Sequence, residues 1–226
     1  MKTKDGHDPK APPRRGKWKQ DPEKVRADIL RIARKAFAAN GLSGTRIEEI
    51  AAQTETSKRM IYYYFGDKEG LYSEVLADAY RRMRAAEDAL DLGGVPPVQA
   101  LRQLVAFTFD HHRAERDFIR LVMIENMHDG QYLPAAQDMS GQNSSAIRLL
   151  EDIYARGCAA GLFRPGLSAV ELHWHISALC YFNVSNRTTF SRIFGDALFS
   201  KAGQTRLREQ VCDMVLSFVQ ANDPHR

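Results

Sequence analysis

The stretch Ser57-Lys58-Arg59-Met60-Ile61-Tyr62-Tyr63-Tyr64-Phe65 holds the densest set of side chains able to act on a partner molecule. On a helix turning about 100° per residue, Lys58, Tyr62, Arg59 and Tyr63 share one arc, while Met60, Tyr64 and Ile61 fill the opposite side. The first arc joins two cations to two phenols. Such a surface can donate to phosphates and to purine edges, and a single helix fits a DNA major groove with its N-terminal side chains nearest the bases. The apolar arc needs a bed, and Ile47, Ile50 and Phe37 are the upstream residues of the right type. Thr45 and Arg46 at one helix start, and Asp67-Lys68 at another, can set amides and cations against phosphates. Two basic residues alone would describe any solvated helix face. Three consecutive tyrosines are harder to explain in that way.

No comparable set of residues suggests a reaction. His111-His112 and His173-Trp174-His175 are spaced i,i+1 and i,i+2, so neither pair shares a helix face as an i,i+4 metal pair would. The sequence has no Gly-rich phosphate loop and no nucleophile elbow. The expectation is no catalytic residue, no metal and no cofactor. Cys158, Cys180 and Cys212 are scattered without a CxxC spacing, which points to a reducing cytoplasm rather than a disulfide scaffold. No run approaches the ~18 apolar residues of a membrane span. The N-terminal MKTKDGHDPKAPPRRGKWKQ lacks the apolar segment of a secretory leader.

The net charge of +4 is unevenly placed. Residues 1–20 carry seven Lys/Arg and two Asp, and residues 21–66 carry eight basic and six acidic residues. The remaining 160 residues carry 17 basic and 20 acidic ones, so the positive charge lies in the first third. That charge points to nucleic acid or another anionic surface at this end only. Residues 1–20, with three prolines, two glycines and Trp18 as the one bulky apolar residue, read as a disordered basic arm. An inert solubilising tail is the other reading.

The elements that must position the cationic-aromatic arc are all helical. Asp21-Pro22-Glu23 gives an N-cap, a first-turn proline and an acid for the helix dipole. Val25, Ile29, Ile32, Ala33, Ala36 and Phe37 then mark one helix face, which Asn40-Gly41 ends. Thr45-Arg46-Ile47-Glu48 predicts a capping box for a short second helix. Ser57 caps a third, Lys58 to Tyr64, and Asp67 a fourth from Lys68 to about Leu90. Later helices are expected at about 97–114, 116–128, 140–161, 168–193 and 204–220, the fourth of these behind a Ser168–Glu171 capping box. Period-two alternation is absent, so the chain reads as all-α with about nine helices.

The run ILRIARKAFAANGLSGTRIEEIAAQTETSKRMIYYYFGDKEGLYSEVL resembles the DNA-binding domain of TetR/AcrR-type transcriptional regulators. Ile29-Leu30, Ala33, Phe37, Gly41, Thr45, Ile50-Ala51, Ser57, Ile61-Tyr62, Tyr64-Phe65, Lys68 and Leu71 fall in that family's order and spacing across residues 23–83. The resemblance implies a three-helix helix-turn-helix domain over residues 21–83, with the motif itself at 46–65. It also implies a helical effector-binding and dimerisation domain over 84–226. By the same resemblance, Thr45, Arg46 and Lys68 match phosphate-contacting positions, and Lys58, Arg59 and Met60 match positions that vary with the operator. Ser57 opens that reading helix, and Tyr62 and Tyr63 match groove or backbone contacts. The family often has Gly where this chain has Arg59. Arg59 therefore adds a base contact, adds a phosphate contact, or is held by Glu55.

The implied function is a homodimeric repressor released from a palindromic operator by a small-molecule effector. A ligand-independent architectural DNA binder and a small all-α enzyme are the alternatives. Met and aromatic residues suit an adaptable cavity, and His and Ser can orient a polar group. On that basis Phe107, His111, Met123, Met127, Trp174, Tyr181 and Ser185 are the candidate effector contacts. The polar run YFNVSNRTTFSRIFG either borders a polar ligand or lies at a solvated rim, and it suggests an aromatic or heterocyclic acid as effector. Leu207, Val211, Met214, Val215 and Phe218 form a wide stripe on the last helix. With helix 168–193, that stripe is the expected four-helix dimer seam.

Overall fold

In the computed structural model the described residues are 21–54, 56–133 and 136–221, with backbone only between 136 and 146. The basic arm and Glu55 lie outside them. The described residues form ten α-helices and one 3₁₀ turn, with no strand beyond an isolated bridge between Phe163 and Gln220. No described helix is long and apolar enough to cross a membrane.

Helices α1 (Pro22–Gly44), α2 (Ile47–Gln53), α3 (Lys58–Phe65) and α4 (Lys68–Asp88) follow the local signals closely. The Asp21 carboxylate accepts from the Glu23 N–H at 3.1 Å, the Ser57 hydroxyl from Met60 N–H at 3.3 Å, and the Asp67 carboxylate from Gly70 N–H at 2.6 Å. Each satisfies an amide that the first helical turn leaves unpaired. Gly41, at φ 70° and ψ 177°, breaks α1 in a conformation that a side chain would strain.

The Thr45–Glu48 capping box does not form. Arg46 is the cap residue of α2 and caps it with no side chain. Thr45 is only 1% exposed, and its hydroxyl donates backwards to the carbonyls of Gly41 at 2.7 Å and Ala36 at 3.2 Å. The hydroxyl thus ties the end of α1 to the start of α2 instead of capping α2. Thr45→Val should therefore cost about 1–2 kcal/mol, because it keeps the shape but removes a buried hydroxyl that two partly buried carbonyls share as donor. Thr45→Ser should recover most of that loss. A chemical-denaturation midpoint for Val equal to wild type would show that the hydroxyl holds nothing.

The remaining helices are α5 (Pro97–Ala114), α6 (Arg116–Met127), α7 (Ala136–Ala159), α8 (Ala169–Ser185), α9 (Arg187–Phe194) and α10 (Lys201–Val219). The Ser168–Glu171 capping box is present at the start of α8. The expected single helix over 168–193 is in fact two helices, divided at Asn186 (φ −99°, ψ 4°). Asn186 Nδ2 donates to Ser185 Oγ at 2.9 Å, and short polar side chains of this kind compete with the helical ladder. The polarity of this run also has a structural cause. Asn183 and Gln204 are both buried and exchange two amide hydrogen bonds of 3.0 Å, which tie α8 to α10.

Two cores organise the chain. The first joins Ile29, Ala33 and Phe37 of α1 to Ile47 and Ile50 of α2, Ile61 and Phe65 of α3, and Leu71, Tyr72 and Val75 of α4. It also takes in Phe118, Ile119 and Leu121 of α6. The second core joins α5, α7, α8 and α10. Helix α6 thus belongs to the core of the first four helices, although the chain reaches it only after α5.

Candidate nucleic-acid interface and ligand cavity

The division of α3 expected from its sequence is present. Ile61 is fully buried and Phe65 nearly so, whereas Lys58, Arg59, Tyr62 and Tyr63 are exposed, Tyr63 to 78%. Met60 and Tyr64 are half-buried at the margins. The bed is the expected one: Ile47, Ile50 and Phe37 share the core with Ile61. Burying those faces fixes the rotation of α3, so the cationic-aromatic arc points outward as a rigid unit.

Electrostatics refine the arc. Lys58 forms an ion pair with Glu48 of α2, and its ammonium lies 5.6 Å from the centre of the Tyr62 ring. The hydrogen bond between them holds the Glu48 carboxyl below its ordinary value and lifts Lys58 above its own. Lys58 is therefore oriented across α2 and α3. Arg46 is exposed at the start of α2, and Lys68 Nζ donates to the Thr45 carbonyl at 3.4 Å. That bond brings the starts of α2 and α4 together, so Arg46 and Lys68 flank one edge of the arc. Thr45 is the exception among the phosphate candidates, since its hydroxyl faces inward.

A cavity of about 430 Å³ is walled by α4, α5, α6 and α8. Of the expected effector residues, Trp174 and Tyr181 line it. The other five do not. Phe107 and His111 lie one residue around α5 from the cavity, with their tilted rings 5.3 Å apart. Met123 packs against the first core, Met127 is 82% exposed, and Ser185 accepts from Asn186 at the α8 break. The polar lining instead comes from Thr108 and His112 of α5, Asn126 of α6, and His173 and Ser177 of α8, with Tyr80 and Arg84 of α4. The i,i+4 spacing of Thr108 with His112, and of His173 with Ser177 and then Tyr181, is the sequence signal that points to them. Phe118, Ile119, Val122 and Ala178 supply apolar wall.

The stripe on α10 also divides. Val211 and Val215 are buried and Leu207 half-buried, and all three pack in their own protomer's core. They cannot form a seam with another copy, because α5 already covers them. Met214 and Phe218 remain outward at 56% and 40% exposure. On α8, Val170, Trp174 and Phe182 are similarly exposed at four- and eight-residue intervals. Phe218 joins the two faces, with its ring 5.0 Å from that of His175 on α8.

Residues 29–75 match the model of bacterial regulatory proteins of the tetR family, and residues 97–215 match that of the tetracyclin repressor-like C-terminal domain. The chain is 36% identical over 197 residues to the HTH-type transcriptional repressor NicS of Pseudomonas putida, covering 87% of this chain and 93% of that one. It is 30% identical over 141 residues to the HTH-type transcriptional repressor SCO4008 of Streptomyces coelicolor, covering 61% and 69% of the two chains. The fold is also that of a solved tetR-family regulatory protein from Rhodococcus RHA1, with a TM-score of 0.68 at 22% identity over 88% of this chain and 99% of that one.

Proposed function

The chain belongs to the TetR family of bacterial regulators, and on that premise we propose that it is a cytoplasmic, homodimeric repressor whose hold on a palindromic operator is released by a small aromatic or heterocyclic acid. The exposed arc of Lys58, Arg59, Tyr62 and Tyr63 over a buried Ile61 carries the DNA-binding part of this reading. Each protomer sets α3 into one major groove, while Arg46 and Lys68 hold the adjacent phosphates. The exposed apolar residues of α8 and α10 form the seam between protomers.

Helix α6 supports the link between ligand and DNA. Its Phe118 and Ile119 are cavity wall on one side and first-core residues on the other. Just before it, Glu115 accepts from Arg34 Nη1 of α1 at 2.8 Å. A ligand that displaces α6 must therefore move α1 or break this packing. Its leverage is its difference in affinity between the two spacings of the reading heads.

Selection of bound fragments from random DNA tests the reading. The expected product is a near-palindrome with half-sites one helical turn, about 34–36 Å, apart. Retention of fragments without base preference would make the protein an architectural binder instead.

The basic arm adds a separate prediction. Deleting residues 1–20 should weaken binding to operator and random DNA by similar factors. It should also flatten the salt dependence by about 0.9 in log–log slope for each phosphate that the arm neutralises. Equal slopes for the full-length and shortened proteins would make the arm inert.

A further inference from the structure

A second hollow, of about 80 Å³, lies where the α5–α6 turn meets the α8–α9 turn and the first turn of α10. Its wall holds three arginines: Arg113 near the end of α5, Arg116 at the start of α6 and Arg187 at the start of α9. Among the described residues that wall includes no Asp or Glu. Arg113 lies 3.5 Å from Asp110, but Arg208 Nε holds the same carboxylate at 2.8 Å. Arg116 and Arg187 form no ion pair among the described residues. Glu115 and Asp117 flank Arg116 in sequence but lie outside the wall, and Glu115 is taken by Arg34 of α1 at 2.8 Å. The Arg187 guanidinium is placed at the hollow by Phe199, a lining residue whose ring centre lies 5.5 Å from its Cζ.

The same wall carries the buried amides of Asn183 and Gln204. Gln204 Nε2 spends one hydrogen on Asn183 Oδ1 and the other on the Leu198 carbonyl, both at 3.0 Å. The carbonyl can only accept, so it fixes which Gln204 atom is nitrogen, and with it the sense of the Asn183 amide. Asn183 Nδ2 then gives one hydrogen to Gln204 Oε1 and keeps a second with no partner among the described residues. Three cations against one shared carboxylate, beside a spare amide donor, make a positive field with nothing in the described wall to balance it.

We propose that this hollow binds one tetrahedral oxyanion of the phosphate class, at a site separate from the effector cavity. Guanidinium forks match phosphate oxygens with paired hydrogen bonds. The excess of arginines calls for more than one negative charge. A phosphoryl group carries about −1.5 to −2 near neutrality, whereas a monocarboxylate carries one. At about 80 Å³ against about 430 Å³, the hollow suits a small ion and not an aromatic effector. Free phosphate and the phosphoryl end of a small metabolite share this chemistry. All three arginines are exposed, so the remainder of a monoester can stay outside. The anion clamps the α5–α6 turn to the α8–α9 turn. Glu115, between Arg113 and Arg116, is the residue through which that turn holds α1, so an occupied hollow braces the link to the reading head.

Urea unfolding of the full-length protein in inorganic phosphate, against chloride at equal ionic strength, tests this. Raising phosphate from about 1 to about 50 mM should increase the folding equilibrium constant at least about fivefold per protomer beyond the chloride control. Phosphate also stabilises proteins by exclusion from their surface, and it can meet cations on the DNA-facing arc. Two variants of equal charge loss separate these effects. Arg116→Gln with Arg187→Gln should lose most of the gain, and Arg46→Gln with Arg59→Gln should keep it. All four side chains are exposed, and Arg116→Gln alone serves if the first pair does not fold. Glycerol 3-phosphate in place of phosphate identifies the source: a larger gain points to a phosphorylated metabolite, an equal or smaller one to the free ion. No gain over chloride in the wild type, or the same gain in both double variants, would overturn the proposal.

Discussion

Arg59→Ala is expected to relax base preference at one symmetric pair of operator positions and to weaken operator binding by about 30-fold to 10⁴-fold. The side chain is exposed on the outward arc of α3, one residue from the oriented Lys58 and one turn from Tyr63. A bidentate arginine contact to a base is worth about 1–3 kcal/mol, and a dimer makes it twice. Selection from random DNA with wild type and variant separates the roles left open by the sequence. A preference that disappears at one position pair means base reading. An unchanged motif, with uniformly weaker binding and a shallower salt slope, means a phosphate contact instead.

The second large effect concerns the seam between protomers. Met214→Asp combined with Phe218→Asp should dissociate the dimer and leave folded protomers, because both residues are exposed in the single chain. Val211→Asp should instead unfold the protein. Val211 is 4% exposed among apolar neighbours, and a charge buried there without a partner costs several kcal/mol. Sedimentation and far-UV circular dichroism separate the two results. An intact dimer in the double variant, or a stably folded Val211→Asp, would remove this assignment. Loss of the dimer should also abolish tight operator binding, since one reading head grips only one half-site.

The contrast between Met214 and Val211 shows where sequence reasoning stops. Helices α1 to α4 are legible because their signals are local: caps at Asp21, Ser57 and Asp67, a break at Gly41, and one apolar arc on each short helix. The outward arc of α3 follows from periodicity alone. Thr45 misleads because its partners, Ala36 and Gly41, lie in the preceding helix, where the capping pattern does not look. The cavity lies one residue around α5 from the expected face because that helix is apolar on several sides. Leu104, Val105, Ala106 and Phe109 are all buried, so periodicity cannot say which buried face meets a hollow. The α10 stripe is wide for a similar reason, since one half serves its own protomer and the other half faces outward. The family resemblance supplies the domain plan, but only three-dimensional packing puts α6 in the core of the reading head.

The chain has two tryptophans, Trp18 and Trp174. Trp174 lines the cavity while 67% exposed on the face assigned to the seam, and its ring lies 5.2 Å from that of His175. Removing residues 1–20 therefore leaves a single emitter at the point where ligand entry and protomer association meet. Its emission should shift to the blue as the second copy excludes water, and should be quenched when an aromatic guest comes close. The protein thus carries its own optical reporter, and binding and assembly can each be timed without attaching a dye.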